Sequence, residues 1–271
     1  MNGRVKYIPV SRIPRISRAG GPAAPAAPIS LVMPMAGHGS RFRRNGITLP
    51  KPLIEICGKP FFWWATQSVR RMAPVDRMIF VVLKDHVRDF AIDDEVRRHY
   101  PDAHLEVLDE PTGGAAETAA RGVAYAADDR PVAICDSDHA FAAFPGTTAM
   151  LETADASLLC FTSQDPAYSY ARFDSDGDVV GTVEKQVVSS SAIAGCYLFA
   201  SPEAFIAPYE RYRENCPYDE YFVSGVYGEL ISLGGRVVAQ MLREHLSFGT
   251  PEELAALVAN GREHDLLAWA A

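Results

Sequence analysis

Two cations in this sequence stand where phosphate chemistry needs them. The run Met33-Pro34-Met35-Ala36-Gly37-His38-Gly39-Ser40-Arg41-Phe42 carries Arg41, and Pro50-Lys51-Pro52-Leu53 carries Lys51. An apolar strand over 29–33 empties into a loop of small residues, where glycines let backbone N–H groups close around phosphate oxygens. Prolines on both sides hold the Lys51 backbone extended. Cations fixed at such a loop neutralise charge developing on a phosphorus atom. A plain tight turn would also use Gly-x-Gly. Two better-known loops are excluded: position 42 is Phe where the dinucleotide fingerprint needs glycine, and Gly-x-x-x-x-Gly-Lys-Ser/Thr is absent.

Three further groups carry chemistry. A strand over 131–135 runs into Asp136-Ser137-Asp138-His139. Two carboxylates there suit Mg²⁺, which takes one or two carboxylates together with phosphate oxygens and water; aspartates that merely turn the chain are the plainer reading. Glu110-Pro111-Thr112-Gly113-Gly114-Ala115-Ala116-Glu117-Thr118 leads into an Ala-rich helix. Its small residues let a flat base lie against the backbone, and a helix N-terminus favours anions; simple capping after a glycine turn explains it equally. Glu117 suits a cytosine amino group or a bare helix surface. At Glu184-Lys185, ending a hairpin, Lys185 suits a second phosphate and Glu184 hydroxyl groups, unless the two form an exposed ion pair.

The elements around them alternate. Strands are expected at 29–34, 77–83, 104–108, 131–135 and 156–162, with helices at 60–72, 86–98, 115–127 and 145–154. Alternation of this kind predicts an α/β fold, a Rossmann-like, mostly parallel sheet flanked by helices with ligands at the strand C-termini. After residue 165 the texture changes. Strands at 170–173 and 179–184 form a hairpin around Asp174-Ser175-Asp176-Gly177-Asp178. That run resembles a calcium-loop fragment without its closing glutamate and reads as a solvated turn. A strand at 193–199, helices opening at Ser201-Pro202 and covering 219–233, a strand at 236–241 and a helix capped by Thr250-Pro251 complete the pattern. This predicts one domain over 29–271, with a nucleotide-binding half at 29–165 and a hairpin-and-helix acceptor half at 166–260.

Composition narrows the partners. The 271 residues are 48% hydrophobic and 22% charged, with net charge −8. Residues 1–28 hold five of the 26 basic residues and none of the 34 acidic ones, and end in a Pro/Ala-rich run that reads as a disordered leader. The acidic remainder argues against nucleic acid. No stretch approaches the ~18 apolar residues of a membrane span. Five scattered cysteines, four of them (Cys57, Cys135, Cys160, Cys196) in apolar strand-like runs, point to a reducing, cytoplasmic setting.

Taken in order, these pieces resemble the nucleotidyltransferases that make activated sugars, the sugar-phosphate pyrophosphorylases and related cytidylyltransferases. The matching motifs are the 37–42 loop, Pro50-Lys51-Pro52-Leu53, the 112–118 loop, Asp138, Val183-Glu184-Lys185, Ala194-Gly195-Cys196-Tyr197-Leu198-Phe199 and Phe248-Gly249-Thr250-Pro251-Glu252, spanning roughly 30–260. The left-handed β-helix extension of some relatives is not among them.

The resemblance implies that Arg41 and Lys51 hold the triphosphate and stabilise the α-phosphorus under attack. Met35, Ala36, Gly37, Gly39, Ser40, Gly113, Gly114 and Thr118 would line the nucleotide. Asp138 would bind Mg²⁺, with Asp136 beside it. Lys185 would take the acceptor's phosphate, Glu184 its hydroxyls, and Gly195 would admit its close approach. The implied reaction transfers NMP from an NTP, a pyrimidine nucleotide by preference, to a sugar 1-phosphate or similar metabolite. Tyr221-Phe222-Val223 resembles the branch that supplies capsular or cell-surface precursors, and the family often assembles as homo-oligomers. One position departs: Ser247 stands where many members have a second metal-binding Asp. Two rival readings follow, an Asp-x-Asp glycosyltransferase and a non-catalytic regulatory relative.

Overall fold

The computed structural model describes residues 27–270; the basic leader lies outside them apart from Ala27 and Pro28. The chain runs β1 (Ile29–Met35), α1 (Ser40–Arg44), a 3-10 turn at Lys51–Leu53, β2 (Glu55–Ile56), β3 (Lys59–Pro60), α2 (Phe61–Met72), β4 (Val75–Leu83), α3 (Lys84–Phe90), α4 (Ile92–His99), β5 (His104–Leu108), α5 (Ala115–Val123), β6 (Val132–Cys135) and β7 (His139–Ala142). After a 3-10 stretch at Thr147–Glu152 come β8 (Ala156–Thr162), β9 (Ser169–Phe173), β10 (Val179–Glu184), β11 (Ser191–Phe199), α6 (Pro202–Asn215), α7 (Val223–Ser232), β12 (Val237–Met241), β13 (Glu244–Ser247), α8 (Pro251–Ala259) and α9 (Glu263–Ala270).

Nine strands make one mixed sheet. The order β5-β4-β1-β6 is parallel, and β11 lies antiparallel beside β6. From β11 the sheet continues on one side through β9 to β10 and on the other through β8 to β12. Parallel strands covered on both faces read as unbroken apolar runs, and Ile29, Leu31, Val32 and Met33 are fully buried. Pro34 sits in this central strand without breaking a ladder, because β6 pairs with β1 only at Ser30–Val32.

The two faces hold separate cores, one under α5, α6 and α7, the other under α2 and α4. A third cluster joins Phe42, Phe61, Phe248, Leu257 and Leu266. Phe61 stands 6.0 Å from Phe42 and 4.6 Å from Phe248, ring centroid to centroid. Phe61 of α2 is therefore the wall to which Phe42, the residue that excluded a dinucleotide loop, pins α1, and on which Phe248 also rests.

Several expectations need correction. The helix at 86–98 is two helices, broken at Ala91, which adopts a left-handed φ of 49°. The helix at 145–154 is 3-10 geometry over 147–152. The helix at 115–127 ends at Val123, and the one at 219–233 begins only at Val223. Cys57 lies exposed in the β2–β3 turn with φ 52°, not in an apolar strand; Cys135, Cys160 and Cys196 are buried. The 174–178 run, by contrast, is the exposed turn that was expected, closed by Asp174, whose Oδ1 accepts from the N–H groups of residues 176, 177 and 178. No helix among the described residues is long and apolar enough to cross a membrane.

Candidate active site

Parallel β1, β4, β5 and β6 bring their C-terminal ends, and the loops after them, to one edge of the sheet. Ligands of open α/β sheets bind at this edge. The loop after β1 ends at Gly39, whose φ of 61° is left-handed and favours glycine. A Cβ there would lie 3.3 Å from the Lys51 Cβ, so the loop and the Pro50–Leu53 turn are packed together. Met35 and Ala36 are buried, which leaves their backbone, and not their side chains, to face a ligand. Arg41 is exposed on α1 and has no ion-pair partner among the described residues.

Lys51 and Asp138, expected in separate roles, form an ion pair with Nζ 2.7 Å from Oδ2. Their side chains are 30% and 20% exposed, so the pair is open to a ligand on one side. Burial works against the charge of Lys51, but the charge and hydrogen bond of Asp138 outweigh it and lift the ammonium above the ordinary lysine range. Burial likewise opposes the Asp138 carboxylate, and Lys51 pulls it below the ordinary range. Asp136 has no such partner: burial and then the charge of Asp138 push it up to about 7. Its backbone N–H donates to the Gly195 carbonyl at 2.8 Å, and a Cβ on Gly195 would stand 3.0 Å from its Oδ2.

The far wall is the Phe248-Gly249 turn. Short β7 pairs with β13, setting Ser247 opposite His139, and Phe248 N–H donates to the Asp138 carbonyl at 3.0 Å. A Cβ on Gly249 would overlap Asp138 Oδ2. Gly249→Ala should therefore displace that carboxylate, and a misplacement near 1 Å costs about 10²-fold in rate. We expect kcat to fall by one to two orders of magnitude with unchanged circular dichroism; an unaltered kcat would remove Gly249 from the site.

The 110–118 loop is shaped by contacts absent from the sequence reading. Tyr221, just before α7, closes on it: Tyr221 N–H donates to Gly113 O at 3.0 Å, and Ala116 N–H donates to Tyr221 O at 2.8 Å. A Cβ on Gly114 would overlap the Tyr221 backbone. Glu117 accepts from Gly113 N–H at 2.7 Å through Oε2, so that oxygen caps its own loop. Thr118 is buried, and its hydroxyl lies 2.6 Å from that of Thr112 and donates to Gly114 O at 3.2 Å; it braces the loop from inside.

Glu184 and Lys185 do not pair with each other. Glu184 Oε1 accepts from Ser169 Oγ at 2.6 Å and from Ser224 Oγ. Lys185 adopts a left-handed φ of 52°, a strain of order 1–3 kcal/mol for a residue with a side chain. That conformation sets its Nζ 4.9 Å from the centroid of the Phe222 ring. Both residues line a cavity of about 380 Å³ with Tyr218 and Phe222.

Whether Mg²⁺ fits can be judged from the donors. Asp138 Oδ2 is engaged with Lys51, which leaves its Oδ1 and the Asp136 carboxylate as hard oxygen ligands. Among the described residues no cluster of three His, Cys, Asp or Glu could hold a metal alone. Two carboxylates suit an ion that arrives with substrate phosphates, which is how Mg²⁺ usually binds.

Comparison with known proteins bears on the fold and the family. No curated protein matches the chain by sequence. Among solved structures, a nucleoside-diphosphate-sugar pyrophosphorylase from Vibrio cholerae superposes with TM-score 0.72 at 23% identity, covering 84% of this chain and 99% of its own. The inositol-1-phosphate CTP transferase from T. maritima gives TM-score 0.70 at 13% identity, with 91% and 97% covered. A UDP-glucose pyrophosphorylase complexed with UDP-glucose gives 0.69 at 16%, with 88% and 100% covered. These likenesses establish the fold. The family model of the MobA-like NTP transferase domain matches residues 32–211, from within β1 into α6. The chain belongs to the MobA-like NTP transferase family.

Proposed function

We propose that the chain transfers NMP from an NTP to the phosphate of a small phosphorylated acceptor, a sugar 1-phosphate or similar metabolite, and releases pyrophosphate. An acceptor phosphate oxygen forms the new bond to the α-phosphorus. The bond from the α-phosphorus to the bridging oxygen breaks, and pyrophosphate leaves with its electron pair. The attacking phosphate is already anionic, so positioning and charge neutralisation replace a general base. Lys51 and Arg41 supply that neutralisation, and the loops at 36–40 and 112–118 seat the nucleotide. Asp138 and Asp136 would hold Mg²⁺, which would offset phosphate charge. Lys185 would take the acceptor phosphate.

The observation that carries this reading is the Lys51–Asp138 pair at the edge of the phosphate loop, with Arg41 left free beside it. An Asp-x-Asp glycosyltransferase has no triphosphate for these cations. Free thiols throughout fit a reducing cytoplasmic setting, and a product destined for cell-surface glycans fits the Tyr221-Phe222-Val223 segment. Four NTPs against a panel of phosphorylated acceptors, read by pyrophosphate release, test the reading. Release that needs both an NTP, with CTP or UTP preferred, and a phosphorylated acceptor is expected. Sugar transfer from a nucleotide-sugar without pyrophosphate would overturn it.

A further inference from the structure

The cavity at Glu184 and Lys185 carries a charge balance that an ordinary sugar phosphate does not meet. Besides those two residues it is lined by Tyr218, Asp219, Glu220 and Phe222. Three carboxylates thus face one ammonium. Asp219 and Glu220 are exposed and have no ion-pair partner among the described residues. A dianionic phosphate drawn to Lys185 would share one cavity with three carboxylates of like charge, and like charges repel, though less where solvent screens them. A second cation brought by the ligand would remove that conflict.

The aromatic side of the cavity already shows what it attracts. Lys185 Nζ rests over the Phe222 ring at 4.9 Å from its centroid, and Tyr218 meets Phe222 edge-on at 5.6 Å. Ring faces attract cations through their quadrupole. When Lys185 turns to a phosphate, the Phe222 face is vacated beside Asp219 and Glu220. Glu184 cannot follow the phosphate's movements, because Ser169 and Ser224 hold its Oε1 in place.

We propose that the acceptor is a phosphate ester that also bears a protonated or quaternary amine, its phosphate on Lys185 and its cation between Phe222 and the Asp219–Glu220 carboxylates. This rests on the nucleotidyl-transfer reading and names the acceptor class within it.

Matched acceptors that differ only in charge test it with the full chain: 2-aminoethyl phosphate against 2-hydroxyethyl phosphate, and glucosamine 1-phosphate against glucose 1-phosphate. The expected kcat/KM from pyrophosphate release favours the amine of at least one pair by roughly tenfold, the scale of a cation–π contact with a neighbouring carboxylate. Asp219→Asn with Glu220→Gln, and separately Phe222→Leu, should collapse that ratio. Equal or better use of the neutral member in both pairs overturns the proposal and leaves nucleotidyl transfer standing. Calorimetric binding of the same pairs reads the preference without turnover. A chain that binds the amines tightly and releases no pyrophosphate would support the charge preference and fault the parent reading.

Discussion

Lys51→Ala is expected to fold normally and to lose roughly 10²–10³-fold in turnover, the scale set by removing one preorganised donor to a charged transition state. Lys51 has two partners in the proposed cycle, Asp138 before substrate binds and the triphosphate after. Alanine removes the cation and leaves Asp138 as an uncompensated anion facing the phosphate, so repulsion adds to the lost attraction. Stability should fall by about 1–3 kcal/mol, because the pair is half-buried, its side chains 30% and 20% exposed, and alanine leaves the Asp138 charge without its partner. The discriminating result is therefore a collapsed kcat in a variant that still unfolds cooperatively, at a urea midpoint only modestly below the parent's. Near-normal turnover would remove Lys51 from the proposed mechanism.

Asp138→Asn should be comparably severe for a different reason. Asparagine keeps the shape and one oxygen, so packing against Gly249 survives, but the charge that holds Lys51 and would hold Mg²⁺ is gone. We expect a loss of roughly 10²-fold or more in kcat and a rise in the Mg²⁺ concentration needed for half-maximal rate. The second readout separates a ligand from a merely structural aspartate. Unchanged Mg²⁺ dependence would place the metal elsewhere, with Asp136 the next carboxylate to substitute.

Much of this site was legible because its parts are chemically loud. An apolar run ending in Gly-x-Gly and Asp-x-Asp after a buried strand each announce their element through backbone or solvation constraints; the prolines around Lys51 marked a turn but not its conformation, which is 3-10 and not the extended one expected. Phe42 was legible as an exclusion, although its packing against Phe61 needed the fold. Quieter features depend on contacts far apart in sequence. β7 and β13 are four residues each and carry no alternating pattern, so their pairing, with Ser247 opposite His139, emerges only from the fold. Gly249 has no left-handed φ to mark it; only the approach of Asp138 shows why a side chain is excluded. Tyr221 acts through its backbone, which no residue type reveals. Ala91 and Lys185 take left-handed conformations that composition would assign to glycine or asparagine.

The Lys51–Asp138 pair also changes the meaning of the two residues first singled out for chemistry. As separate motifs they read as a phosphate contact and a metal ligand. Their ion pair makes them one unit, in which, under the proposed function, an incoming triphosphate would exchange with the carboxylate for the ammonium.

The most direct test of the central claim follows one phosphorus atom. The chain would be incubated with an NTP radiolabelled at the α-phosphorus and a phosphorylated acceptor, and the products separated. The account predicts that the label moves into a diphosphate-linked nucleotide–acceptor conjugate, with one pyrophosphate released for each conjugate formed. Label remaining in NTP or appearing only in free NMP, with no conjugate for any acceptor tested, would contradict it.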